Sequence, residues 1–502
     1  MKTDVLVIGG GLAGKRCAQT AGKKCRTVLI ANGRGASPYI HGISVPLGRD
    51  DSVELFVRDT FLSGRKQGKM NLIKKLCGES AALKDEFDFT KDGDEYELLK
   101  PLGASVPRVA GIDGRTGLYA MNRIDAEKSF VQHSDIRAVR LHCEDNRVRG
   151  AYCFNLKTGE WIYIAAKAVV LATGGFGGLF PFSTNSSDIG GDGIAMAYDA
   201  GAALCDMEFI QFEPTAAVCP NGIRGRSVIT TMLYEGAVMR NKNNDRFMDE
   251  RVDKDELSLE IYREIIKGNA AEHGGVFYDM TAVDEKLLKG RYADYRDRYL
   301  SCGIDIGRQY AEVAPAPHTT LGGIEIDENC KTAVEGLFAC GEVTGGIHGA
   351  NRLGGNAGLE VLVFGKIAGE SAAEYAYGKD EKIGNADVTY QNSSRTDVGY
   401  MRKRLTEALG NGLNVIRNEN DMQHLKTVAA ETIDCCRDKA FDFEAQRLHN
   451  DAVTVLAAGS SALARKGNMG CHNREDAVHE NERYRICVCR NGEQLSLKKE
   501  HI

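Results

Sequence analysis

The chain opens with an apolar strand, Val5-Leu6-Val7-Ile8, that runs without a break into Gly9-Gly10-Gly11-Leu12-Ala13-Gly14 and then into a helical sequence. No other feature narrows the fold as much. A G-x-G-x-x-G turn between a buried strand and a helix belongs to a parallel α/β sheet. Gly9 makes the tight turn, Gly11 lets backbone approach a pyrophosphate, and Gly14 lets the helix pack close to the strand. The helix N-terminus directs N–H groups at the anion. Thr27-Val28-Leu29-Ile30 supplies the next strand at the spacing of a βαβ unit. Where such a unit carries an acid for a ribose hydroxyl, Ala31-Asn32 stands instead, which makes Asn32 the candidate. Much later, Ala168-Val169-Val170-Leu171-Ala172-Thr173-Gly174-Gly175 reads as a parallel strand whose C-terminal end, Thr173 and Gly174, meets the ligand. Residues 138–141, 148–152 and 161–164 read as a separate small antiparallel insertion ahead of it, with a turn at Lys157-Thr158-Gly159-Glu160. With one complete fingerprint, no second, nicotinamide-binding domain is expected.

Residues 341–356 gather six glycines around His348 and Arg352 and begin with Gly341-Glu342. Such a stretch lets backbone approach a large planar ligand while a guanidinium reaches for a carboxylate. It resembles the signature of the flavoprotein family that includes fumarate reductase, succinate dehydrogenase and L-aspartate oxidase. The resemblance implies FAD, with Glu342 on its ribitol and Arg352 gripping a substrate carboxylate. Asn356 and Ala357 would begin a helix whose N-terminus faces the flavin pyrimidine, and His348 would be structural. Relatives that bond FAD covalently use a histidine at the position of Gly35, so non-covalent FAD is expected. Asp192, in Gly191-Asp192-Gly193, would order the loop beside the cofactor; His41 would have an incidental local role or touch the flavin, and Ser105 either touches ligand or sits in a turn.

The implied fold class is α/β, a Rossmann-like FAD-binding domain (1–215 and 319–385) with an inserted α+β capping domain (216–318) and a C-terminal helical domain (386–502). Cap segments carry the implied substrate chemistry, and they depart from the family. Glu213, in Gln211-Phe212-Glu213-Pro214-Thr215, replaces a histidine that binds one substrate carboxylate, and a glutamate repels a dicarboxylate unless protonated. Lys254, beyond Arg246-Phe247-Met248-Asp249-Glu250, replaces the arginine that passes a proton to substrate carbon. Lysine parts with a proton more readily, its reference pKa being about 10.4 against above 12. Thr230 and Leu233 fall where relatives carry charged residues of the proton relay. His318, in Pro317-His318-Thr319-Thr320, would join Arg352 around one oxyanion.

The expected activity is reduction of an activated C=C bond of a small carboxylate or carbonyl compound, or the reverse, with hydride at flavin N5 and the proton at Lys254. Two alternatives stand beside it: an L-aspartate-oxidase-like amino-acid dehydrogenase, to which Glu213 would offer an anion for the substrate ammonium, and a non-catalytic FAD electron-transfer subunit. The net charge of −6 gives no electrostatic footprint for nucleic acid. Fifteen cysteines, with Cys435-Cys436 and Cys487/Cys489 as close pairs, show no iron-sulfur or haem spacing, so reduced thiols, a cytoplasmic location and no metal are expected. Electrons would then come from a separate reductase, ferredoxin or subunit. The tail, with Gly470-Cys471-His472-Asn473-Arg474-Glu475-Asp476, resembles a helical region that docks an iron-sulfur subunit in relatives. No apolar run reaches the ~20 residues of a membrane span.

Overall fold

In the computed structural model, which describes residues 1–112, 115–377, 379, 397–437, 442–480, 482–492 and 494–502, the opening sequence forms strand β1 (Lys2–Ile8), helix α1 (Leu12–Gly22) and strand β2 (Thr27–Ile30). Strands β3 (Val131–His133), β4 (Ile136–Glu144), β5 (Arg147–Asn155) and β6 (Glu160–Leu171) join them in one sheet, ordered β3-β2-β1-β6-β5-β4. The first three pairings are parallel and the last two antiparallel. The expected break between an antiparallel insertion and the returning strand does not exist. β6 runs through 12 residues, pairing with β5 from Glu160 to Ala165 and with β1 from Ala165 to Leu171. Ile164-Ala165-Ala166-Lys167 contains no turn former, and Lys167 pairs with Asp4 at 3.2 Å, so nothing bends the chain there.

Beyond α2 (Asp192–Asp199) and the short β7 (Leu204–Cys205), strand β8 (Ile210–Ala217) leaves this body. Four antiparallel strands form a second sheet: β9 (Val238–Arg240), β10 (Val276–Asp279) and β11 (Ala311–Thr320) join β8 in the order β8-β11-β10-β9. Between them lie α3 (Lys254–Glu264) and α4 (Ala293–Leu300). β8 and β11 pair from Ile210↔Thr320 to Ala217↔Val313, so the two passages into and out of this region are stitched together. The region has its own apolar cluster, including Met232, Leu257, Tyr278, Tyr299 and Val313, apart from the core under the first sheet.

The chain re-enters through β12 (Gly323–Ile324) and β13 (Leu337–Ala339); β13 lies parallel to the end of β6. Helix α5 (Asn356–Tyr377) then packs on α1 at a glycine crossing. A Cβ at Gly369 would stand 2.5 Å from Cys17 O and one at Gly365 2.8 Å from Ala13 O, so larger residues would drive the helices apart. The expected boundary at 385/386 lies outside the described residues. Helices α6 (Val398–Gly412), α7 (Glu419–Cys436) and α8 (Phe443–Ala464) follow, and Met401, Leu405, Leu409, Leu448, Ala452 and Val455 bury the stripes their spacing predicts. The tail is more than helical: β14 (Tyr484–Asn491) and β15 (Gln494–His501) form a hairpin whose first strand pairs with β7. No helix among the described residues is long and apolar enough to cross a membrane.

Candidate active site

Strand ends, helix N-termini and the inner face of the cap meet around one cavity of about 1130 Å³. Gly9, Gly11, Asn32, Thr173, Gly174, Asp192, Glu342 and Ala357 line it, and so do Glu213, Lys254, His318 and Arg352. Gly14 lies one helical turn inside, where a Cβ would come 2.0 Å from Gly9 O; the close helix–strand approach is the reason for glycine there. Gly9 holds a φ of +128°, and a Cβ on it would meet Ala172 O at 2.1 Å. Ser37 completes the turn by accepting a hydrogen bond from Leu12 N–H at 2.8 Å. Asn356 begins α5 as expected; its side chain is buried, donates to Thr60 Oγ1 at 3.1 Å and does not itself line the cavity, whereas the next residue, Ala357, does. Asp192 accepts from Arg137 at 2.6 Å and from Asn450 at 2.9 Å, which ties the N-terminus of α2 to α8. Ser105 is a turn residue that bonds Asp59 at 2.7 Å and does not line the cavity.

This lining suits a dinucleotide flavin. Among the described residues Thr173 Oγ1, which is buried, has no hydrogen-bond partner, which leaves it to donate to or accept from a ligand. Glu342 Oε1 accepts from Thr320 N at 3.0 Å, and burial pushes its carboxyl up to about 7 in spite of that bond. A hydroxyl donor would relieve it. Gly35 lines the cavity with a φ of +57° and no side chain to bond a flavin.

The substrate end is built from four groups. Arg352 is buried; among the described residues its guanidinium makes one hydrogen bond, to Leu353 O at 3.2 Å, its Nε has no partner, and it pairs with no carboxylate. Burial lowers its pKa, against the pull of Glu213, Glu342 and Glu360. Gln211 holds the loop by donating to Arg352 O and Asn351 Oδ1, both at 2.8 Å. Lys254 is the first residue of α3, and its ammonium donates to Glu213 Oε2 at 2.6 Å. Burial acts to raise the Glu213 carboxyl, but Lys254, His318 and a bond from Thr215 outweigh it and bring it below the usual range.

His318 stands 3.9 Å from Glu213 Oε2 through Nε2, while Nδ1 lies 2.8 Å from Thr184 Oγ1. Burial, with Lys254 and Arg352 nearby, lowers it to about 3 against the opposing charge of Glu213, so it is a neutral hydrogen-bonding group. The end of β11 that carries it is fixed by Ser183 donating to Pro317 O at 3.1 Å and Asn185 donating to His318 O at 3.0 Å. His348 pairs with Glu360 at 2.8 Å within the protein interior. His41 lines the cavity against Tyr295 of the cap, ring centroids 5.2 Å apart. Of the two relay positions, Thr230 lines the cavity and Leu233 is buried in the cap core.

Sequence reasoning missed the role of Ser37 and Thr184, and the contribution of Tyr295, Arg298 and Arg226 to the cap wall. Thr184 had a signal, since Thr184-Asn185 stands shortly before Gly191-Asp192-Gly193; the cap residues had none, because an insertion carries no motif of its own.

Known proteins place this geometry. The FAD binding domain family model matches residues 4–357. An uncharacterised FAD-dependent oxidoreductase of Methanocaldococcus jannaschii is 33% identical over 99% of this chain and 98% of its own. One of the subunits of the fumarate reductase (CoM/CoB) of Methanothermobacter marburgensis is 32% identical, covering 94% of each chain. Among solved structures, a quinol-fumarate reductase with menaquinol molecules superposes with a TM-score of 0.87 at 24% identity, over 100% of this chain and 98% of the other, a likeness of fold.

Proposed function

The chain belongs to the FAD binding domain family and is an FAD-dependent oxidoreductase of the fumarate reductase type, and from that premise we propose that it reduces the activated C=C bond of a small unsaturated carboxylate or carbonyl compound, or runs the reverse dehydrogenation. One observation carries this reading: a buried arginine with no carboxylate partner among the described residues shares a cavity with an ion-paired lysine and a neutral histidine.

FAD, when bound, supplies hydride exchange. Arg352 binds a substrate oxyanion and withdraws charge from the double bond, with a charge-assisted bond worth ~1.5–3 kcal/mol. His318, neutral and oriented by Thr184, adds a hydrogen bond to the same end of the substrate. Lys254 gives its proton to the substrate carbon, and Glu213 fixes the ammonium in position. The cap excludes water, which strengthens each of these contacts. FAD is held without a covalent bond, Gly35 having no atom to form one.

Glu213 already has its cation in Lys254, so it is not free to attract a substrate ammonium. This favours an unsaturated acid over an amino acid. An electron-transfer subunit is the partner this reading calls for, in keeping with a relative named as a subunit.

The test is anaerobic: dithionite-reduced holoprotein is mixed with unsaturated acids, enones and imines in turn, and flavin absorbance is followed. Reoxidation by an unsaturated acid or enone, with the saturated product recovered, supports the proposal. Reoxidation by imines alone sinks it.

A further inference from the structure

A second cluster of reactive side chains lies in the cap and outside the cavity lining: Cys219, His273 and Glu312. They come from three elements. Cys219 follows β8, Glu312 is the second residue of β11, and His273 sits in a turn closed by Ala271 N–H donating to Gly275 O at 2.7 Å, just before β10. A sulfur, a ring nitrogen and a carboxylate oxygen stand within 4.8 Å of one another. We propose that these three side chains form a zinc-binding site that cross-links the root of the cap wall.

The donor set selects the metal. A thiolate and an imidazole beside one carboxylate suit zinc, whereas calcium and magnesium take oxygen. Bond lengths of ~2.0–2.3 Å in a tetrahedron require donors roughly 3.3–3.8 Å apart. Glu312 Oε2 now lies 2.8 Å from His273 Nδ1 and 3.9 Å from Cys219 Sγ, on either side of that separation. Side-chain rotation of a few tenths of an ångström brings both into range.

The ligand oxygen is already oriented. Glu312 is buried, and its other oxygen accepts from His273 N–H at 2.8 Å and Gly275 N–H at 2.9 Å, the kind of outer-shell support that holds metal ligands. The hydrogen-bonded arrangement is the proton-filled version of the same site. The His273 ring nitrogen Nδ1 and the Cys219 thiol both face Oε2, and a dication takes the place of their protons, the thiol's leaving to solvent and the ring's passing to solvent or to Nε2, while one thiolate and one carboxylate balance its charge. Burial and Glu312 raise the thiol, so without an ion Cys219 stays protonated and unreactive. Three protein ligands leave the fourth position for water. Glu272, next to His273, adds a negative charge that acts on both groups, and Arg224, donating to Val218 O at 3.0 Å, is the neighbouring cation.

Position gives the ion a task. Immediately after Cys219 the chain contributes Gly222, Ile223, Arg226 and Ser227 to the cavity wall. An ion joining Cys219 to β11 and to the turn before β10 would fix that wall at its base.

Holoprotein stripped with EDTA, then dialysed against micromolar zinc chloride, is assayed for bound metal by mass spectrometry, with cadmium–thiolate absorption as a second readout. One zinc per chain is expected in the wild type and in Cys302→Ala. His273→Ala, at an exposed position that leaves the fold intact, should bind zinc at least about tenfold more weakly, and Cys219→Ala should lose the cadmium band. A wild type that retains no zinc overturns the proposal, as does equal retention by His273→Ala.

Discussion

Lys254 begins a helix, where a cation opposes the helix dipole and an acidic residue would be preferred. Glu213 at 2.6 Å, with Asp255 and Glu256 in the same first turn, offsets that cost. A residue kept at an unfavourable position is a candidate for chemistry. Lys254→Ala should retain FAD, lower turnover by about 10²–10⁴-fold and reduce stability by roughly 3 kcal/mol, because Glu213 is left buried without its cation. Undiminished turnover by stopped-flow flavin reoxidation would remove the lysine from the mechanism. Glu342 carries a pH prediction. Its carboxyl, raised by burial to about 7, holds a proton below neutrality in the ligand-free protein. The folded state therefore binds more protons than the unfolded between about pH 4.5 and 7, and ligand-free stability is highest below that window and falls as pH rises through it. A cofactor hydroxyl donating to the carboxylate favours the ionised form, so FAD and the proton compete. Affinity should weaken about tenfold from pH 8 to pH 6 in a fluorescence titration, and Glu342→Gln should flatten the curve.

The unit that binds the dinucleotide is a strand, a turn and a helix, and its tolerance is set by backbone. A Cβ at Gly14 would lie 2.0 Å from Gly9 O, and neither atom belongs to a flexible side chain. Gly14→Ala should therefore push α1 off β1, leaving a folded protein with FAD affinity down at least about tenfold, read by the flavin-to-protein absorbance ratio. Full flavin content would contradict the packing argument. These elements were legible because their constraints are local: glycines at fixed offsets, apolar runs of strand length, a stripe such as Leu448, Ala452 and Val455. Arg352 and Glu342 were legible for the same reason, lying in one contiguous stretch. The continuity of β6 was not, since residues 160–171 pair first with β5 and then with β1, and only the assembled sheet defines the strand. The hairpin of β14 and β15 escaped because its first strand pairs with β7, a partner some 280 residues earlier, counting from Leu204 to Val488.

At the scale of the whole chain, the cap carries Lys254 and the FAD-binding body carries Arg352, so their meeting depends on how the two bodies are joined. Besides the paired passages β8 and β11, polar contacts among the described residues span them. Arg291 donates to Glu97 at 2.9 Å, and Arg65 reaches Asp253 at 2.9 Å and Asp255 at 2.7 Å, while Asn414 of the C-terminal region donates to Tyr262 OH of the cap at 3.0 Å. The Arg65 pairs matter most for chemistry, because Asp253 and Asp255 flank Lys254. Burial raises the Asp255 carboxyl even with Arg65 beside it, so the carboxylate depends on that guanidinium for its charge. Arg65→Ala leaves Asp255 buried and unpaired, at a cost of roughly 3 kcal/mol, the low end for breaking a buried ion pair since the arginine is partly exposed. FAD content should be unchanged, as Arg65 does not line the cavity. Amide exchange should accelerate in residues 254–264, and kcat should fall at least about tenfold with substrate binding to Arg352 less affected. Unchanged exchange in that helix together with unchanged kcat would mean that the paired strands alone hold Lys254 over the substrate.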